Sequence, residues 1–260
     1  MKLEIKIIKK LPEFTVDVSF CCRAGEMQII TGPSGSGKTT IMRILAGLER
    51  SDHGLIRFDG TVWEDTANRI FLKPQKRAIG YVFQEYSLFP HLTVAQNVAF
   101  AALDRENVEK YMHLMGIPHL ARRFPKQLSG GERQRAALAQ ALAREPRALL
   151  LDEPFSALDY VTRENLRHSL DEIKKLVQIP IIHISHDLTE GLQMADAVLP
   201  LERGRVAYDW LPAALRQHLP EKQMQIPCRN ELVEMEPVKA RTPMETFWNR
   251  LFGFSKICRT

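Results

Sequence analysis

Three short stretches hold residues whose types and spacing can do chemistry. The first is GPSGSGKT, Gly32 to Thr39, which matches G-x-x-x-x-G-K-[ST] at every fixed position. Its glycines let backbone N–H groups face a polyphosphate with no side chain in the way. Lys38 then reaches the terminal phosphates, and the Thr39 hydroxyl suits Mg²⁺, which prefers near-octahedral oxygen ligands. The second is ALLLDEP, where Asp152 and Glu153 follow a run of apolar residues. Being adjacent, they point in different directions and can do different jobs: Asp152 to hold magnesium through its water shell, Glu153 to orient or deprotonate a water. The third is LSGGERQ, Leu128 to Gln134, with Ser129 at a good N-cap position before two glycines. Bare amides and a positive helix end attract phosphate there too. The chain thus offers two phosphate-binding helix starts, the second without a lysine.

The elements that must position these residues can be read from periodicity. Leu3–Ile8 and Phe14–Phe20 alternate as strands do, and MQIITG runs apolar into Gly32. A helix is expected from Lys38 to about Leu48, stopped near Gly47. GLIRFDG reads as a strand ending in an Asp-Gly turn. RAIGYVF is another strand, ending at Gln84. From Thr93 to Arg144 the pattern is helical. ALLLDEP and IPIIHIS are apolar throughout, as strands buried on both faces are, with the amphipathic RENLRHSLDEIKKLV between them. Alternation of this kind predicts an α/β fold with a parallel sheet, interrupted by an inserted helical subdomain at about 88–146. Two adjacent acids at the C-terminal end of a buried strand lie where ligands bind in such sheets.

Composition excludes little and is compatible with much. The chain has 260 residues, 45% hydrophobic and 26% charged, with a net charge of +5. No apolar run approaches the ~18 residues needed to span a bilayer. The N-terminus alternates charged and apolar residues and lacks the apolar core of a signal peptide, so the expectation is that the chain stays in the cytosol. No Lys/Arg run is dense enough to favour nucleic acid. The four cysteines form no CxxC pair and so no zinc-site spacing.

Taken together, the motifs resemble those of an ATP-binding cassette (ABC) ATPase, in family order, over about residues 1–205. GPSGSGKT matches the P-loop, and the resemblance places Gly32, Pro33, Ser34, Gly35, Ser36, Gly37, Lys38, Thr39 and Thr40 around the phosphates of ATP. Gln84, closing GYVFQ, matches the Q-loop glutamine, a magnesium ligand that also faces a transmembrane partner. LSGGERQ matches the signature, ALLLDEP the Walker B strand with its catalytic glutamate, and SALD, Ser156 to Asp159, the D-loop. His186 in HISHD matches the switch histidine that contacts the γ-phosphate; His183, on the same strand, reads as core. The implied fold is a P-loop NTPase (RecA-like) core with an N-terminal antiparallel β subdomain. The implied cofactors are ATP and Mg²⁺, with Thr39, Gln84 and Asp152 on the metal. Family members also stack an aromatic residue on adenine; Phe14 is the best placed, with Phe20 nearby as the alternative.

The resemblance also implies partners. Ser129, Gly130 and Gly131 would bind the γ-phosphate of ATP held by the Lys38 of a second copy, which makes the enzyme a homodimer. Long coiled coils, a second cassette and zinc cysteines, which mark the DNA-repair, chromosome and translation types, are absent. That favours a transporter ATPase on the cytoplasmic side of the inner membrane, working with permease subunits and, indirectly, a solute-binding protein. The wording of KPQKRAIGYVFQEYSLFPHLTVAQNVAF is similar to that of oxyanion importers, most of all the molybdate group. Importers of spermidine, iron(III) and sugars share much of it, and a soluble ATPase of the assembly or nucleic-acid type, with no membrane partner, is the reading from another class. The aromatic, proline-containing EYSLFPHLT suits a groove that receives a short helix of the membrane partner, or an ordinary loop between subdomains. Beyond residue 205 a short tail, 206–260, has too little length for the full C-terminal β-barrel usual in molybdate ATPases. Met244, Phe247, Trp248 and Leu251 in it form a short apolar stripe that could touch membrane or permease; docking on its own domain, or a loose tail, is the commoner outcome.

Overall fold

The first two strands, Lys2–Lys10 (β1) and Thr15–Arg23 (β2), pair antiparallel from Lys2↔Arg23 to Lys10↔Thr15. Leu3, Ile5 and Ile7 are buried against Val16, Val18 and Phe20, as alternation requires when one face covers a core. Met27–Thr31 (β3) follows and is buried at all five positions. Then come Lys38–Leu45 (α1), His53–Phe58 (β4), Thr61–Asp65 (β5) and Ile70–Phe71 (β6). Between β4 and β5, Asp59 and Gly60 have φ 48° and 81°. This is the left-handed two-residue turn that matches strand twist, as the Asp-Gly pair predicts.

The rest of the chain runs through Ile79–Val82 (β7), then Val94–Ala101 (α2), Arg105–Leu114 (α3) and Gly130–Ala143 (α4). After these come Ala148–Asp152 (β8), Tyr160–Val177 (α5), Ile181–Ser185 (β9), Ala197–Glu202 (β10) and Arg205–Val206 (β11). This computed structural model describes residues 1–84, 88–155, 160–185 and 194–210. The sequence readings at Ser156–Asp159, at His186 and in the tail beyond residue 210 therefore lie outside the described residues, as does EYS at 85–87.

Among the described residues, one sheet runs in the order β6-β5-β4-β1-β2-β11-β10-β3-β9-β8-β7. Its β6-to-β2 half is antiparallel, and its β10-to-β7 half is parallel. This is the mixed α/β architecture expected from the sequence. Side chains of the parallel strands alternate between two apolar clusters. Ile29, Leu149, Leu151 and Ile181 pack with Leu138, Leu142, Leu166 and Leu170 of α4 and α5. Ile30, Leu150, Ile182 and Ile184 pack with Ile41, Met42 and Leu45 of α1 and with the antiparallel strands. Both faces are covered, which is why β3, β8 and β9 read as continuous apolar runs.

Four strands escaped the periodicity reading. β5 is five residues, three of them polar, and β6 is only the pair Ile70–Phe71. β10 contains Pro200, which demotes a strand in sequence because proline cannot donate to the ladder. Here Pro200 lies opposite Thr31 on the parallel side, and its carbonyl accepts from Ala207 N–H at 2.9 Å.

Candidate functional site

Sheet register brings the chemistry to one edge. Thr31 lies opposite Ser185, Ile184 opposite Asp152, and Leu151 opposite Val82. The chain thus leaves β3, β8 and β7 at nearly one level, and Gly32, Glu153 and Phe83 are the next residues out. This is the carboxyl edge of a parallel sheet, where ligands bind in open α/β folds.

At β3 the turn into α1 is built on glycine. Gly32 has φ 154°, and a Cβ there would collide with the Leu201 carbonyl oxygen of β10. Gly37 caps α1 at φ 103°, and a Cβ would meet Val16 Cγ2 at 2.8 Å. No side chain caps α1, so its first N–H groups remain for a ligand. Lys38 is buried, and its Nζ donates to the carbonyls of Gly32 at 2.8 Å and Pro33 at 2.9 Å. Burial holds its pKa below the usual lysine value, against the pull of Glu153 and Asp152. The Ser36 hydroxyl is buried without a hydrogen-bond partner, a state that costs about 1–3 kcal/mol and that a bound phosphate would relieve. Thr39 is exposed and Thr40 half-buried.

The two aromatic candidates separate. Phe20 is 1% exposed and lies in the core. Phe14 is half-buried, with its Cε2 at 3.4 Å from where a Gly37 Cβ would stand, so it borders the loop.

At β8, Asp152 is buried and accepts from the Tyr81 hydroxyl at 3.0 Å. Burial raises its pKa above the usual carboxyl value and neighbouring Glu153 adds to this, while the Tyr81 hydrogen bond and Lys38 oppose it. Glu153 turns off the strand at φ 48°. Its N–H donates to the Ile184 carbonyl at 3.2 Å, and its Oε2 accepts from Gln84 Nε2 at 3.0 Å. Gln84, Asp152 and Glu153, assigned separately by sequence, thus form one cluster. Tyr81 was missed: no spacing points to it, because its relation to Asp152 exists only once β7 lies beside β8. His183 is fully buried in β9 with its ring 5.4 Å from that of Phe155, so it is core, as expected.

The SGG stretch starts α4. Ser129 is its N-cap, and the cap is reciprocal. The Ser129 Oγ accepts from Glu132 N–H at 3.3 Å, and Glu132 Oε2 accepts from Ser129 N–H at 2.7 Å. The Ser129 N–H hydrogen bond, with the hydroxyl adding to it, holds the Glu132 carboxyl below its usual pKa. The sequence did not foresee that the Ser129 amide is already engaged. A Cβ on Gly131 would collide with Thr162 of α5, so this glycine sets the close approach of the two helices. Among the described residues no hydrogen bond or ion pair joins Ser129, Gly130 or Gly131 to Lys38, Asp152 or Glu153.

Comparison with known proteins agrees with this geometry. The family model described as "ABC transporter" matches residues 15–156, more than half of the chain. The molybdenum import ATP-binding protein ModC of Pseudomonas syringae pv. tomato is 42% identical over 78% of this chain and 58% of its own. The sulfate/thiosulfate import ATP-binding protein CysA of Ralstonia nicotianae is 42% identical over 83% of this chain and 60% of its own. The chain thus spans about three fifths of the length of these relatives. Among solved structures, the ATP-binding cassette MJ0796, a dimer in a post-hydrolysis state with ADP and Pi, superposes with a TM-score of 0.65. It is 28% identical and covers 78% of this chain and 96% of its own. A glycine turn, a carboxylate pair and a capped SGG helix start, set on a sheet of this topology and matched over most of the described chain, place this protein in the ABC transporter family.

Proposed function

We propose that this chain is the ATP-hydrolysing subunit of a membrane importer for molybdate or a related oxyanion such as sulfate or tungstate. The observation that carries the reading is the meeting of Lys38, Gln84, Asp152 and Glu153 at one sheet edge, in a chain 42% identical to molybdenum import ATP-binding proteins. In this reading the loop from Gly32 to Thr40 wraps the phosphates of ATP and Lys38 neutralises the outer ones, leaving its carbonyl partners to do so. Phe14, beside the loop, stacks on the adenine.

The residues fit magnesium as well. Asp152 and Gln84 are oxygen donors at the strand ends, and the Thr39 hydroxyl is exposed at the start of α1. Bound there, the cation would neutralise charge on the phosphate oxygens. Glu153 orients and deprotonates the attacking water, and its hydrogen bond from Gln84 holds it in place. His186 and Asp159 complete the site by the family pattern. A second copy closes it with the hydroxyl of Ser129 and the amides of Gly130 and Gly131.

The dimer sits on the cytoplasmic face of the membrane, against a permease. Among the described residues no helix is long and apolar enough to cross a membrane, and in this reading the permease is met through a docking surface. The end of α2 and the residues just after it offer one: Phe100 is 69% exposed with its ring 4.6 Å from Phe89, and Leu103, two residues past the helix, is 65% exposed. Aromatic anchors of this kind dominate interfaces. Uptake of labelled molybdate, tungstate and sulfate, in cells with and without the gene, tests the reading. Loss of molybdate uptake is expected; unchanged uptake of all three anions would overturn the oxyanion assignment.

A further inference from the structure

β7 and the residues after it carry two polar side chains to the carboxylate pair, and only Gln84 has a role so far. Tyr81 lies opposite Leu150 in the parallel ladder, on the side of the cluster that contains α1. Its ring is half-buried there and packs on Phe83 with centroids 4.1 Å apart. From this fixed ring the hydroxyl donates to Asp152 Oδ2 at 3.0 Å. Among the described residues it is the one hydrogen-bond donor to that carboxylate. Oδ1 is left open, and the rotation of the carboxylate is set by a ring with few ways to move.

We infer that Tyr81 is a positioning residue for the divalent cation that accompanies the nucleotide: its hydroxyl holds Asp152 so that Oδ1 faces the metal. The inference rests on the reading of Asp152 as a magnesium residue. Outer partners of metal-binding side chains commonly matter by 10–100-fold in affinity, because a ligand free to rotate must be ordered at the moment of binding. The position of Tyr81 adds a second consequence. It stands three residues before Gln84, so one short segment holds Asp152 at one end and Glu153 at the other.

The test compares the full chain with its Tyr81→Phe and Asp152→Asn variants. Binding of a fluorescent ATP analogue is followed first in EDTA and then across a Mg²⁺ series. Tyr81→Phe keeps the ring and removes only the donor. It is expected to match the parent in EDTA but to need about tenfold more Mg²⁺ for half of the metal-induced tightening. Asp152→Asn should lose most of that tightening. An unchanged or lower Mg²⁺ requirement in Tyr81→Phe overturns the inference, and so does weaker binding already in EDTA, which would make the hydroxyl part of the packing. If Asp152→Asn keeps the parent's Mg²⁺ response, the reading of Asp152 itself falls, whatever Tyr81→Phe does.

Discussion

Glu153 shows how much is asked of a single residue. It leaves β8 at φ 48°, a left-handed conformation that costs a non-glycine residue about 1–2 kcal/mol. Such strain persists only where the surroundings over-determine it, and it gathers at functional sites. Here the Ile184 carbonyl takes the amide and Gln84 takes the carboxylate. Glu153→Gln keeps size and bend but cannot accept a proton. Steady-state ATP turnover should fall by about 10² or more, with nucleotide affinity unchanged and an ATP-bound dimer accumulating on a sizing column. Turnover within threefold of the parent would remove Glu153 from the role of base. At this scale the sequence disclosed identities but not contacts. Lys38, Asp152 and Glu153 were legible from motif spacing. The bond from Tyr81, 71 residues before Asp152, was not, because it depends on strand order.

Elements hold the site through buried polar groups that periodicity cannot interpret. Arg77 is fully buried and donates to the Ile44 and Leu45 carbonyls at 2.7 and 2.8 Å, closing the C-terminal end of α1. It also pairs with Glu64 of β5 at 3.7 Å, so the antiparallel half of the sheet is tied to the phosphate-loop helix. In sequence this residue is one more charge in KPQKR. His183 of β9 is the complementary case: sequence reads it as core, and the structure gives that reading a consequence. Burial pushes its pKa down to about 3, from the ordinary 6.5. Between those values the unfolded chain takes up a proton that the folded chain refuses, so stability must fall as pH falls through that window. The slope for one group is about 1.4 kcal/mol per pH unit. Urea unfolding of the parent and of His183→Phe from pH 7 to 4.5 checks this. The variant should lose stability less steeply, by nearly one proton; equal slopes would show that His183 titrates normally.

For the whole molecule, the proposed function requires the starts of α1 and α4, from two copies, to form one site. Within one chain α1 and α4 share no bond at their N-termini among the described residues, and the solved cassette MJ0796 is dimeric. ATPase activity per chain should therefore rise with protein concentration until the dimer saturates. Strict proportionality down to dilutions where the chain is demonstrably monomeric would show that one copy suffices. The parallel half of the sheet was legible because strands buried on both faces leave long apolar runs. The β10–β11 end was not, because Pro200 and two charged residues break the pattern where a strand meets both sheet halves.

The cap on α4 reaches beyond helix stability. Glu132 returns a carboxylate to the amide of Ser129, so the positive end of the helix already has an anion of its own. A lone subunit in a cell rich in free phosphate is thereby insulated: a dissolved anion gains little by competing with a tethered one. A nucleotide carried in by a docked partner is different, since its phosphates arrive at an effective concentration that no solute reaches. Under the proposed dimer, the helix start would discriminate by delivery rather than by affinity, ignoring phosphate that diffuses past and answering only to phosphate that another subunit holds in place.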